Sequence, residues 1–487
     1  MSCWKTICLL CVLSATGGVI SQAQTFSTIV NFGGPNGGYP GYVTLVQGTD
    51  GYLYGTAHAE YYGTVFKIAP GGPATVIYSF VDVDGSWPHG SSPNSGLTLG
   101  TDQYLYGTTA TGGNSDSCYG GCGTVFKITE TGELTTLHSF GGADGSNPSS
   151  VLVEGSDGNF YGTTEYGGAN LCIDTGSLGC GMLFRITSAG TFMVLHSFDG
   201  SDGFDPFAGV IQGADGSLYG TTEGGGANSG GTVFKITPDG ALTTLYSFCA
   251  QTNCLDGQAP VAPLVRASDG NFYGTTVEGG VADCDWGAAG GTIFKITPEG
   301  TFSTILGSLC QEPTAPLIQA ADGKLYGTTV EGGNSNNSIC FAAFSSGCGT
   351  VFRITTGGVF TTLHSFNWTG GNAPYGGMVQ ATNGILYGTT YDGGVFQGGT
   401  IYSESLGFAP FVTTLPTSRK VGQHVAILGT DLTAARSVTF NGTPATFTVA
   451  SGTEISTTVP AGATTGAVEV VTPSGVLLSN IPFHVAE

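Results

Sequence analysis

Four aromatic residues are the candidates to meet a ligand. Trp87, Trp286, Trp368 and Tyr375 fall in long, variable connections, outside the strand-like runs. Exposed rings stack on the apolar faces of sugars, each contributing on the order of 1–3 kcal/mol when covered. The competing reading is that each ring plugs its own loop against the fold. Carboxylates recur beside them: Glu165, Glu223, Glu278, Glu331 and Asp392 come just after a repeated YGTT. Two carboxylates can serve as acid and base on a glycosidic bond, but acids that return in repeat after repeat read as structural. Asp82 and Asp84, and Asp199, Asp202 and Asp205, are spaced closely enough to consider Ca²⁺. They lack the bidentate Glu that closes an EF-hand loop, and Asp-Gly is ordinary turn chemistry. His138, His196 and His364 occupy one slot that Tyr78 and Tyr246 also fill, which marks a packing position. There is no nucleophile–His–acid set and no phosphate-binding Gly loop, so no catalytic residue is assigned and no organic cofactor is expected.

Three of the 13 cysteines fall in the first 11 residues, leaving ten. An even count in an exported chain reads as disulfides. Proximity suggests Cys118–Cys122, Cys172–Cys180, Cys249–Cys254, Cys284–Cys310 and Cys340–Cys348. Zinc is the weaker reading, because no CxxC pair occurs and no His partner lies near.

The elements that must position these residues repeat. YGT[TA] begins at Tyr54, Tyr106, Tyr161, Tyr219, Tyr273, Tyr326 and Tyr387. Residues 206–248 show the unit: four short β-rich runs forming two hairpins, with Asp-Gly at the tight breaks. An Asp or Asn always sits four before the Tyr; a Pro sits thirteen before it in six units, and Pro40 fourteen before in the first. The second hairpin, from the Gly of GTVFKI to the Phe of the SF end, is equally rigid at 63–80, 123–140, 181–198, 231–248 and 349–366, while the fifth unit departs with GSL at 307–309. Fixed hairpins with variable connections mean packed strands and unpacked loops.

Four strands per period over seven periods predict an all-β, seven-bladed β-propeller. Residues 25–32, TFSTIVNF, look like the last strand of a repeat without the preceding three, while the seventh unit stops at GTIYSESL without its fourth strand. Pairing the two closes the ring and removes an open sheet edge. An open stack of repeats would leave the N-terminal strand unexplained. In an up-and-down blade the tight turns share one face, and the variable loops, with the aromatics, carboxylates and cysteines above, share the other. That varied face is the expected working face.

Residues 1–23 carry one Lys, an apolar run and Ser21-Gln22-Ala23, the form of a secretory signal; an uncleaved anchor helix is less consistent with so short a run. No later segment could span a membrane. The net charge of −22 disfavours nucleic acid and anionic membrane surfaces as partners and leaves neutral glycans, cations and basic surfaces. A secreted or cell-surface monomer is expected.

YGTTxxGG followed by GTVFKITPxGxLTTLYSF resembles the bacterial GloVer, or "choice-of-anchor", tandem-repeat family over about 26–406. The resemblance implies exported repeat modules with variable C-terminal segments and attaches no activity to the motif. The chain departs from the anchored pattern: it lacks an apolar tail, and Leu415-Pro416-Thr417-Ser418 is neither LPxTG nor terminal.

Composition shifts at 408. The segment 408–487 gives about seven predicted short strands with turns at Asn441-Gly442, Ala461-Gly462 and Ser474-Gly475, a small β-sandwich. GTDL, V-F-NG-PA, VP-GA-TG and V-TP-G-F-V resemble an IPT/TIG domain, which implies an immunoglobulin-like accessory module; a plain spacer is the other reading. The domains expected are therefore a signal peptide at 1–23, a propeller at 24–407 and an Ig-like domain at 408–487. The functional expectation is a non-catalytic extracellular binding or attachment protein for a glycan or cell-surface component. The alternatives are a polysaccharide-active hydrolase or lyase with an accessory domain, and a structural envelope protein.

Overall fold

A computed structural model describes residues 24–33, 37–58, 62–81, 87–172, 179–281, 290–309, 311–333, 340 and 347–486. The signal-peptide assignment, Asp82, Asp84, Trp286, Cys284 and Cys310 lie outside the described residues.

The repeat region forms seven four-stranded antiparallel sheets. In the unit at 206–248 the strands are Ile211–Gln212, Leu218–Thr222, Thr232–Ile236 and Leu242–Ser247, each paired with the next. The innermost strand is shorter than its hydrophobic run suggests. Its first residues are spent on contacts to the neighbouring sheet instead of on ladder bonds.

The fixed spacings have local causes. Asp215 Oδ1 accepts from the Ser217 backbone N–H and closes the turn, while Tyr219 Oη donates to Asp215 Oδ2 at 3.0 Å. The same pair recurs from Tyr54–Asp50 to Tyr326–Asp322, and Asn383 takes the role beside Tyr387. Lys67, Lys235 and Lys295 then reach Asp50, Asp215 and Asp269 at 3.6, 2.6 and 3.5 Å. The Gly of YGT is required by close packing: a Cβ on Gly107 would lie 2.6 Å from the Phe126 ring.

The following Thr joins each sheet to the next. Thr163 Oγ1 donates to Ala208 O at 3.1 Å and Thr275 Oγ1 to Pro313 O at 2.9 Å. Thr389 Oγ1 donates to Val43 O at 2.9 Å, tying the last repeat to the first. The last sheet contains Val379–Gln380, Leu386–Thr390 and Thr400–Ser405, and its fourth member is Thr25–Asn31 from the N-terminal end.

After 408 come ten short strands. Two four-stranded sheets enclose Val425, Ile427, Phe440, Ile455, Val468, Val470 and Phe483. A parallel pair, Ser418–Lys420 with His484–Ala486, lies at their margin. This unit sits on the tight-turn side of the repeats. Thr453 Oγ1 donates to Thr49 O at 2.6 Å, Gln103 Nε2 to Glu454 Oε1 at 3.0 Å, and Leu415 and Leu428 pack with Tyr54 and Leu99. The opposite side, with the long loops, is left uncovered by it. Among the described residues no helix is long and apolar enough to cross a membrane.

Candidate functional site: an aromatic and acidic funnel

On the long-loop side, each repeat enters its innermost strand through a Pro. The residue before that Pro has φ between 51° and 57° in six of the seven repeats: Tyr39, Ser92, Asn147, Asp205, Ala259 and Ala373. This left-handed conformation is uncommon for side-chain-bearing residues. It is held at both ends. Its N–H donates to a carbonyl of the preceding repeat, as Asn147 to Cys122 O, Asp205 to Cys180 O and Ala373 to Cys348 O. Its carbonyl accepts from the residue four after the YGT tyrosine: His58, Ala110, Glu165, Glu223, Val277 and Tyr391 bind Tyr39, Ser92, Asn147, Asp205, Ala259 and Ala373 in this way. The backbone thereby places two side-chain slots around one axis: the position after the Pro, and the position four after the Tyr.

These slots meet in a cavity of about 250 Å³. The position after the Pro contributes Tyr42, Asn94, Ser149, Phe207, Val261, Thr314 and Tyr375, one from each repeat, and the other slot contributes Glu165 and Glu223. Gly41 is the extra residue of the first repeat, and a Cβ there would lie 2.3 Å from Tyr391 Cβ, so its absence lets the ring in.

One wall is aromatic. Tyr42 stacks on Tyr375 with centroids 4.8 Å apart and planes at 22°. Tyr391 meets both edge-on, at 5.6 and 5.9 Å, and Tyr39 leans on Tyr391 at 5.2 Å. The facing wall is acidic. Burial and then the neighbouring Glu165 and Glu223 push the Asp205 carboxyl up to about 7. Burial raises Glu165, a hydrogen bond from Tyr166 partly offsets it, and Glu223 adds to the rise; burial and then Glu278 raise Glu223. Farther round, burial, Glu331 and Glu278 raise Glu312. Tyr375 is pushed up to about 12, mainly by burial and then by Tyr42 and the acids Glu312 and Glu331. Every Lys and Arg from 24 to 407 sits in a hairpin strand or beside a tight turn, at 67, 127, 185, 235, 266, 295, 324 and 353; no long connection carries one. The acidic wall therefore has no Lys or Arg partner from this face.

The residues singled out from the sequence divide. Tyr375 lines the cavity, with Glu165 and Glu223 opposite. Trp87 and Trp368 sit in connections between repeats and are half-buried. Trp87 lies 5.8 Å from Tyr62, and its carbonyl accepts from Gly90 and Gly113; Trp368 packs beside Phe366 and Tyr402, and its carbonyl accepts from Gly394. The acids after YGTT split by one position. Glu165 and Glu223 follow directly and face the axis. Glu278 and Asp392 come one later and exchange backbone bonds with Gln258 and Asn372. The reading of these acids as uniform repeat residues missed that offset, which is visible when the repeats are aligned on Tyr. The slot after the Pro was equally readable, but nothing local marked it as axial.

His138 and His196 bond Asp144 and Asp202 at 3.0 and 2.6 Å, and His138 stacks on Phe192. Asp199 Oδ1 accepts from the Ser201 and Asp202 backbone N–H groups. Cys118–Cys122, Cys172–Cys180, Cys249–Cys254 and Cys340–Cys348 are disulfides, all on the long-loop side, and three of them end beside the carbonyls at Cys122, Cys180 and Cys348 that anchor the residue before the Pro.

Sheets repeated around an axial cavity define a β-propeller-like repeat protein. The model of the Gloeobacter/Verrucomicrobia repeat matches residues 16–172 and 170–343, and the chain belongs to that family. Among solved structures it is similar to a streptogramin B lyase at 16% identity, TM-score 0.52, covering 79% of this chain and 98% of that one. It is similar also to a virginiamycin B lyase from Staphylococcus aureus at 15% identity, TM-score 0.50, covering 79% and 99%. At these identities the likeness is one of fold. No curated protein matches the chain.

Proposed function

We propose that the protein is an exported seven-bladed propeller, closed by its N-terminal strand, that binds an extracellular glycan at the mouth of its axial funnel. An Ig-like, IPT/TIG-type domain on the opposite face serves for attachment or spacing. The observation that carries this reading is the stacked Tyr42–Tyr375 pair lining a cavity on the face that the C-terminal unit leaves free. Flat rings offer a platform for a sugar face, and the carboxylates and the polar residues Asn94, Ser149 and Thr314 offer acceptors and donors for hydroxyls. Four disulfides fit an oxidising compartment. The protein acts as a monomer in this reading. Retention on a panel of insoluble and arrayed polysaccharides, with and without Ca²⁺, tests it; loss of retention in Tyr42→Ala is expected, and retention that ignores this residue would contradict it.

A second reading is favoured by Asp205, whose carboxyl is pushed up to about 7 by burial and by Glu165 and Glu223, so that it holds its proton into the neutral range. Neighbouring carboxyls with separated proton affinities are the arrangement of a general acid with a base. On that reading the funnel cleaves a polysaccharide by hydrolysis or elimination. Release of new reducing ends, absent in Asp205→Asn, would establish it.

A further inference from the structure

We infer that the ligand of the funnel carries protonated amino groups: an oligosaccharide of amino sugars with free amines, in preference to a neutral, N-acylated or acidic one. The inference rests on the glycan reading above and adds the charge of the ligand to it.

The cavity has two walls of different chemistry that suit one ligand. Tyr42 and Tyr375 present stacked rings, and aromatic faces attract a cation within about 6 Å of the centroid. Glu165 and Glu223 line the same cavity, with Asp205 beside them. Two oxygens at this place are buried and without a protein partner: Asp205 Oδ1, and Thr314 Oγ1 in the cavity wall. Buried polar atoms are normally satisfied, so each is a candidate to be completed by a ligand. An ammonium has three donors and no acceptor, which matches carboxylates and rings and needs nothing basic from the protein.

The charge balance points the same way. Glu165, Glu223 and Asp205 face one another across neighbouring repeats, and the elements packed against them bring Glu278, Asn147 and Tyr166 and no Lys or Arg. Asn147 Nδ2 donates to Glu165 and is neutral. Glu165 and Glu223 raise Asp205, and Glu223 raises Glu165; a bound cation removes that repulsion. An acidic sugar would meet only like charge. A metal ion is less well matched, because among the described residues no group of three His, Cys, Asp or Glu is arranged to hold one.

The test is calorimetric titration of the mature protein at about pH 6, where most of the sugar amines carry a proton. Four oligosaccharides of equal length are compared: fully deacetylated chitosan, its N-acetylated form, cello-oligosaccharide and oligogalacturonate. Spermidine is a fifth probe. The deacetylated oligomer is expected to bind about tenfold more tightly than the N-acetylated one, and the galacturonate not at all. Glu165→Gln with Glu223→Gln should abolish the tenfold preference, so that the amine and N-acetyl oligomers are bound equally. Tyr42→Ala should weaken both. Glu133→Gln with Glu299→Gln, at exposed turns of the other face, should change nothing.

Equal binding of the amine and N-acetyl oligomers would overturn the charge inference and leave the glycan reading standing. A preference that survives Glu165→Gln with Glu223→Gln would assign it to the protein's net charge and overturn the inference too. Spermidine binding with no saccharide bound would overturn the glycan reading. Silence from all five probes would overturn both.

Discussion

Phe26 lies flat on His364, ring centroids 3.5 Å apart and planes 3° from parallel. The two residues are far apart in sequence. Elsewhere the same contact is made between consecutive repeats: His138 stacks on Phe192 at 3.8 Å, and Tyr246 on Phe302 at 3.8 Å. The N-terminal strand thus does for the last sheet what a fourth strand does inside every other repeat.

The first prediction concerns that strand. Phe26→Ala should lower the unfolding free energy by about 3 kcal/mol, as should Phe192→Ala and Phe302→Ala. Deleting residues 24–31 should cost more than any of them, because it also exposes the edge at Thr400–Ser405. Denaturant melts of the four variants decide it. A deletion with no effect on the midpoint would show that the strand is not part of the folded unit.

The turn aspartate should be worth more as a bonding group than as a charge. Asp215 holds its own turn, the Tyr219 hydroxyl and Lys235. Asp215→Ala should cost about 2 kcal/mol by stranding the buried tyrosine hydroxyl. Asp215→Asn should cost less than about 1 kcal/mol, since Asn383 already fills this role beside Tyr387. Equal losses in the two variants would mean that the charge dominates.

Trp87 and Tyr42 should separate stability from binding. Trp87→Ala and Trp368→Ala remove half-buried rings from the connections and should destabilise by about 2–3 kcal/mol. Tyr42 is 43% exposed, so Tyr42→Ala should cost less than about 1 kcal/mol and remove ligand retention. Thermal melts run beside polysaccharide pull-downs make the comparison. Lost retention in the Trp variants at unchanged stability would shift the binding face outward to the connections.

Asp205 gives the fold a pH dependence of predictable sign. Its carboxyl is raised from 3.8 to about 7, so between those values the folded chain keeps a proton that the unfolded chain has released. Stability is therefore fully present below about pH 4 on this account and declines as pH rises through about 7. Glu165 and Glu223, also raised, act in the same direction. Asp205→Asn should melt higher than wild type at pH 8, with the advantage shrinking at pH 5. The same offset at both pH values would rule the linkage out.

The sequence by itself determined the local architecture. Asp four before Tyr, Gly after Tyr and Asp-Gly at the tight breaks each answer to a contact within one hairpin, so their spacing is constant and readable. The orphan strand at 25–32 was readable for the same reason: it copies a pattern that the last repeat lacks. The tertiary structure alone decided the site. Tyr42 and Tyr375 belong to the first and last repeats, and only the contact between those two repeats, seen also in the Thr389–Val43 bond, stacks them. Glu165 and Glu223 differ from Glu278 by a single position, and that offset acquires meaning only once the residue before the Pro, in its left-handed conformation, aims one position at the axis and the next along the rim. Hydrophobic periodicity and turn chemistry are local and leave a trace in the chain; convergence of side chains from different repeats is long-range and leaves none.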